Sequence, residues 1–201
     1  MMNEFDSKAR EWDNNPVHWE RSKAVARYLM EMIPLNKEMK ALEFGAGTGI
    51  LSFLLHDHFS EITLMDSSQQ MVKVIHEKVF KTRTKNLKPL LFDLEHSDYH
   101  ANKFDVIYSQ MVLHHVNDIK SIFNKFYSLL NTGGYLAIAD LYTEDGSFHG
   151  QDVEVHRGFD PDKLKEILKL IGYKNTEYKT CFEIKREPGE KFPVFLLLAK
   201  K

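Results

Sequence analysis

Three glycines set two apart, Gly45-Ala46-Gly47-Thr48-Gly49, follow directly on the apolar run Ala41-Leu42-Glu43-Phe44. Glycine permits a tight turn and bare backbone that a ligand can approach closely, and the start of a following helix adds unpaired N–H groups. The spacing differs from the Gly-x-Gly-x-x-Gly of dinucleotide-binding turns, and Glu43 puts negative charge where a pyrophosphate would sit. A zwitterionic amino-acid tail suits that loop better. Taken alone, the three glycines are equally an ordinary turn between a strand and a helix. Two aspartates extend the pattern. Asp66 ends the next apolar run, where a carboxylate accepts both hydroxyls of a ribose. Asp93 follows the run after that, placed to accept from an adenine amino group with Leu94 against the ring. Each aspartate is also a common turn or capping residue, so the weight lies in their joint placement at successive run ends.

Further along, His114, His115, Asp140 and Tyr142 stand just past two more apolar runs. A histidine near its ordinary pKa of about 6.5 serves as general base for a hydroxyl or phenol, which makes His114, His115 and Tyr142 the candidate catalytic groups. Leu113-His114-His115-Val116 reads equally well as a turn whose histidines pack or bond to backbone. In the mixed segment 141–159, His149, His156 and Arg157 either meet an acceptor's carboxylate or phosphate or face solvent. His114 and His115 with Asp118 lack a further convergent ligand set, so no metal site is expected.

The elements that must position these residues alternate between short apolar runs and longer amphipathic segments, the mark of βα units on a mainly parallel sheet. Strands are expected at 40–44, 61–66, 87–92, 104–109 and 135–140, with helices at 49–58, 68–82, 118–130 and 160–172. Pro89 suits a strand start or an edge position. Asp118 is a plausible N-cap, and Asn131-Thr132-Gly133-Gly134 ends the helix it starts. Two late β-rich runs, 173–184 and 192–199, flank a polar turn with Pro188-Gly189 at its centre, which adds an antiparallel hairpin. Ahead of the first strand, helices are expected at about 4–13 and 17–33, broken by Asn14-Asn15-Pro16 and closed by Pro34. Phe5, Ala9 and Trp12 fall near one face of the first, where they either form a lid or pack the extension down. The organisation is then a helical extension or lid over 1–34 and a ligand-binding domain over 35–201.

From about residue 40 to 140 the sequence resembles a class I S-adenosylmethionine-dependent methyltransferase. Leu42 to Gly49 is similar to that family's first motif, which implies that backbone around Gly45, Ala46 and Gly47, with Glu43, holds the methionine portion of the cofactor. Leu64-Met65-Asp66-Ser67-Ser68 resembles the acidic second motif, and Met71 falls where such proteins place an apolar residue against adenine. Asp93-Leu94 resembles the adenine-binding position, and Phe104 to Ser109 the fourth motif, which brings Ser109 to the cofactor. The resemblance implies a Rossmann-like, doubly wound seven-stranded sheet with an antiparallel C-terminal hairpin strand, and S-adenosyl-L-methionine as methyl donor.

After Ser109 the sequence continues Gln110-Met111-Val112-Leu113 and lacks the Asn-Pro-Pro-Tyr or Asp-Pro-Pro-Tyr of enzymes that methylate nucleobase or glutamine nitrogens. Cys181, the one cysteine, falls in a late strand, badly placed for covalent cytosine-carbon methylation. A small-molecule acceptor is therefore the expectation. The rival readings are a nicotinamide-dependent oxidoreductase, which shares the turn and the ribose acid, and a non-catalytic cofactor-binding partner protein.

Composition sets outer bounds. The 201 residues carry 27 Lys and Arg against 29 Asp and Glu, so no global field draws in nucleic acid or an anionic membrane. A single cysteine excludes an intrachain disulfide framework and fits a reducing compartment. The acidic start Met1 to Asp6 lacks a signal-like pattern, and the apolar runs are far shorter than the roughly 20 residues of a membrane-spanning helix. A cytoplasmic protein with no membrane insertion is expected.

Overall fold

Consecutive residues of a strand face opposite sides of a sheet, and here both sides are apolar. In β1 (Lys40–Phe44), Ala41 packs in one core with Val25, Leu51 and Leu55, while Leu42 and Phe44 enter a second core with Phe123 and Phe126. The same division recurs in the neighbouring strands, so each must be covered by helices on both faces. This is what the computed structural model of the chain shows; it describes residues 5–150, 153–186 and 189–201.

The remaining strands are β2 (Glu61–Asp66), β3 (Leu87–Leu91), β4 (Phe104–Gln110), β5 (Leu130–Leu141), β6 (Lys174–Arg186) and β7 (Glu190–Lys200). Helices α1 (Pro16–Met32), α2 (Ile50–Leu55), α3 (Gln69–Thr82), α4 (Ile119–Leu129) and α5 (Pro161–Ile171) complete the fold. Strand order is β3-β2-β1-β4-β5-β7-β6. β3, β2, β1, β4 and β5 run parallel, and β7 pairs antiparallel with both β5 and β6. The Rossmann-like seven-stranded sheet with its antiparallel hairpin is thus the observed architecture. The chain reverses its direction of travel across the sheet between β1 and β4, and the crevice beyond their C-terminal ends is where such sheets bind ligands. Pro89 lies in β3, the outer strand, as its missing donor requires.

The capping residues act as expected. Asp118 accepts the Ser121 amide at 2.8 Å, Asp160 the Asp162 amide at 3.0 Å, and Gly172 closes α5 at φ 118°. Some boundaries differ. The expected helix over 4–13 is, from residue 5 on, two 3₁₀ turns, Asp6–Lys8 and Trp12–Asn14. Asp6 and Asp13 are engaged by distant segments there, and those tertiary bonds override a continuous helix. α2 ends at Leu55 and passes into a 3₁₀ turn, His56–His58. β5 starts at Leu130, pairs once with Phe104, and resumes pairing only at Tyr135, so Asn131 to Gly134 form an excursion within the strand. Pro188 of the expected hairpin turn lies outside the described residues. Among the described residues, no helix is long and apolar enough to cross a membrane.

Candidate functional site

A cavity of about 790 Å³ opens at the ends of β1, β2 and β4. Its floor is the glycine loop. Gly45, Gly47 and Gly49 take φ of 67°, 56° and 80°, a region costly to residues with a Cβ. The first two serve different ends. A Cβ at Gly45 would stand 2.4 Å from Val112, so that glycine lets the segment after β4 close on the loop. A Cβ at Gly47 would have Trp12 Nε1 at 3.9 Å as its nearest neighbour and would project into the cavity. That cradle is shaped for a group pressed against bare backbone.

Asp66, at the end of β2, joins this loop. Its Oδ2 accepts the Gly47 amide at 2.7 Å and its Oδ1 the Ser68 amide at 2.8 Å. A carboxylate has about four acceptor positions, so two remain for ribose hydroxyls. Burial raises its pKa to about 6, against the lowering effect of the two amides, and Asp6 nearby raises it further. Glu43 is buried in the same wall, its carboxylate accepting from the Ser52 hydroxyl, which is itself 2.7 Å from the Tyr108 hydroxyl. Burial pushes its pKa up to about 8, so the acid keeps its proton at neutral pH, unlike the charged group expected from sequence.

Ala46, Ser67, Met71, Asp93 and Leu94 also line the cavity. Asp93 is partly committed, since its carboxylate accepts the Glu95 and His96 amides at 3.1 and 3.2 Å and meets His96 Nδ1 at 2.8 Å. Ser109 differs from expectation: it is absent from the lining, and its buried hydroxyl donates to the Phe44 carbonyl at 2.9 Å, tying β4 to β1.

The opposite end of the cavity is built from α1, the turn after β4 and the segment after β5. His114 and His115 line it, joined by His149, Arg21 and Gln110. Tyr142 is absent from the lining; its hydroxyl is 3.0 Å from that of Thr180, and its ring meets Phe195 edge-on. His156 is likewise absent, with Nε2 3.0 Å from the Val116 carbonyl, and Arg157 donates to the Asp145 carbonyl at 3.3 Å. Fully buried Asp140 stands behind His114, with Oδ1 2.7 Å from Nδ1. Three buried polar atoms lack a hydrogen-bond partner among the described residues: Arg21 Nε, Gln110 Oε1 and His149 Nε2. All three side chains face this one cavity, and burying such atoms unpaired is costly. Sequence reading missed Arg21 and Gln110, because a charged residue in an amphipathic helix and an amide after a strand carry no local signal of convergence.

Residues 5–15 form the roof. Asp6 accepts from the Ser68 hydroxyl at 2.6 Å and the Gln70 amide at 3.1 Å. Asp13 accepts from the Thr48 hydroxyl and, at 2.8 Å, from Lys78, which also donates to the Thr48 carbonyl at 2.9 Å. Two carboxylates thus clip the segment over the glycine loop and β2. The Phe5 ring lies 6.1 Å from Trp12 and 5.1 Å from His115.

A doubly wound sheet of this order, with a glycine cradle bonded to an acid at the end of β2, defines a class I S-adenosylmethionine-dependent methyltransferase fold. The chain belongs to the family of methyltransferase domains, whose model matches residues 17–178. An uncharacterized methyltransferase of Schizosaccharomyces pombe is 30% identical over 155 residues, covering 69% of this chain and 55% of that protein. Phosphoethanolamine N-methyltransferase 3 of Arabidopsis thaliana is 27% identical over 151 residues, 73% of this chain and 30% of that one. The chain therefore spans about half or less of these curated relatives. Among solved structures, the methyltransferase bound to the Trm112 activator of Haloferax volcanii superposes with a TM-score of 0.80 at 16% identity, covering 100% of this chain and 98% of that one. Phosphoethanolamine N-methyltransferase 2 of Haemonchus contortus, in complex with S-adenosyl-L-methionine, gives 0.74 at 17% identity, covering 91% and 52%. The family match sets the nicotinamide oxidoreductase reading aside.

Proposed function

We propose that this protein transfers the methyl group of S-adenosyl-L-methionine to a small-molecule acceptor held beneath the segment before α1. The observation that carries the reading is the division of one cavity into two chemically distinct ends. The cradle end presents Gly47, Asp66, Met71 and Leu94, a fit to an amino-acid tail, a ribose and an apolar ring face. The other end presents Arg21, Gln110 and His149 with unpaired buried atoms, a fit to a polar acceptor. A volume near 790 Å³ lies within the ~300–1,000 Å³ of small-molecule sites.

The cofactor supplies an activated sulfonium methyl. When bound, it would offer that methyl for in-line displacement by an acceptor lone pair, the bonding electron pair being left on sulfur. The chain's part is alignment and exclusion of water. Arg21, buried and still cationic although burial lowers its pKa to about 10, orients the acceptor through an oxygen or anionic group. His115, between Phe5 and His114, lines the acceptor end as a neutral imidazole, its pKa held at about 3 chiefly by burial. His114, held from behind by Asp140, positions it. Residues before α1 act as a lid, clipped by Asp6 and Asp13.

The test is methyl transfer from labelled S-adenosylmethionine to a panel of small hydroxyl, amine and carboxyl compounds, with S-adenosylhomocysteine formation as the readout. Cofactor binding without transfer, together with a stable protein partner recovered from cells, would favour the non-catalytic reading.

A further inference from the structure

In the sequence, His114 and His115 with Asp118 lack a further convergent ligand. The fold supplies it. His149, 34 residues on, returns from the segment after β5, and its ring centroid lies 4.8 Å from that of His114 and 5.4 Å from that of His115. Ligand nitrogens of the three histidines fall within 4.8 Å of one another. Four-coordinate zinc, with bonds of ~2.0–2.1 Å, would hold them about 3.4 Å apart, so the cluster would contract on taking up the ion.

Two further observations point the same way. Asp140 accepts the Leu141 amide at 2.7 Å and the His114 amide at 3.3 Å, so it acts as a carboxylate acceptor. His114 Nδ1 stands 2.7 Å from it, and the tautomer that donates Nδ1–H there keeps its Nε2 lone pair for another partner. A carboxylate behind a histidine is the usual support of a metal ligand. Independently, Nε2 of His149 is buried in this cluster with no hydrogen-bond partner among the described residues.

We infer that His114, His115 and His149 form a binding site for a divalent transition metal ion of the zinc class, with its open position facing the acceptor end of the cavity. Three imidazoles select such ions over the hard, oxygen-seeking magnesium and calcium. His115 and His149, held well below the usual histidine range chiefly by burial and by His114, meet an ion as neutral ligands. An open fourth position is the hallmark of a zinc site that binds substrate. Use of the ion to bind and acidify an acceptor hydroxyl rests on the methyl-transfer reading; capture of the ion does not.

The experiment is titration of chelator-treated full chain with cobalt(II), read by its visible absorption, followed by displacement with zinc(II). The account expects a saturable band at one equivalent, lost to zinc. H149A and H115A should each weaken cobalt binding at least about tenfold, and D140N by ~10–100-fold, the usual effect of removing such a support. S-adenosylhomocysteine affinity in H149A should match the parent, which shows that the variant is folded and separates this site from the cofactor cradle. Absence of the band in the parent chain, or cobalt affinity unchanged in H149A, overturns the proposal.

Discussion

The Gly47 amide donates to Asp66 Oδ2 at 2.7 Å. This bond makes the glycine loop and the acid at the end of β2 one unit, although 19 residues separate them. On the proposed methyl-transfer reading, removing either partner should disturb both the seat of the amino-acid tail and that of the ribose. D66N offers an amide hydrogen to one of two backbone donors and loses the charge. Two hydrogen bonds to a charged acceptor are at stake, each worth about 1.5–3 kcal/mol. Calorimetry should show S-adenosylhomocysteine affinity falling at least about thirtyfold.

Asp66 also sets a pH dependence. Its folded pKa, raised to about 6, lies above its ordinary value of 3.8, so the folded state holds a proton between these limits that the unfolded chain has released. Its contribution to stability is fully present below about pH 4 and is lost as pH rises through about 6. Binding should run the other way if, as proposed, the Asp66 carboxylate accepts the ribose hydroxyls. Affinity for S-adenosylhomocysteine should climb from pH 5 to pH 7 in the parent and stay nearly flat over that range in D66N.

Glu43 predicts a proton release. With a pKa of about 8 it is protonated at pH 7, and an incoming ammonium favours the charged form. Calorimetric titration at pH 7 in two buffers of different ionisation enthalpy should report release of a fraction of a proton per cofactor bound. In E43Q that fraction should fall, and an unchanged value would remove Glu43 from contact with the ammonium.

The glycines should separate by mutation. G45A drives a Cβ to within 2.4 Å of Val112 and should lower the melting temperature by several degrees or prevent folding. G47A meets only an ordinary van der Waals contact with Trp12 and the cost of its φ of 56°, about 1–2 kcal/mol, so it should fold and bind weakly. Thermal melts followed by binding assays distinguish the two.

The segment before α1 should govern cofactor exchange. D13N weakens the bond to Lys78, whose partners are both partly exposed, and should cost stability about 1 kcal/mol or less. Stopped-flow release of S-adenosylhomocysteine should nevertheless accelerate, and deletion of residues 1–16 should weaken binding while leaving a folded core. Unchanged affinity in the deletion would end the lid account.

How much of this was legible in the sequence follows from how local each signal is. The alternating runs gave the strands because strand periodicity and burial are written within five or six residues. Pro89 announced an outer strand, and Asp118 and Gly172 announced helix ends, since each acts on its immediate neighbours. The cradle residues Gly45, Gly47 and Asp66 were visible because strand ends carry them to one edge. What escaped was convergence. Arg21 lies inside α1 and Gln110 ends β4, and only tertiary packing turns both toward one cavity. His149 was visible as a residue but not as a neighbour of His114, because the path of the segment after β5 depends on long-range contacts. Conversely, Tyr142 and Ser109 had plausible positions, but their hydroxyls meet Thr180 and the Phe44 carbonyl.

The central claim is that the loop at Gly47 seats S-adenosylmethionine. Its most direct measurement is a calorimetric titration of S-adenosylhomocysteine into the parent chain and into G47V, with circular dichroism verifying that both are folded. The account predicts saturable binding near one equivalent in the parent and an affinity at least about a hundredfold lower in G47V, a loss of about 2.7 kcal/mol. No binding to the parent, or equal affinity in a folded G47V, would contradict it.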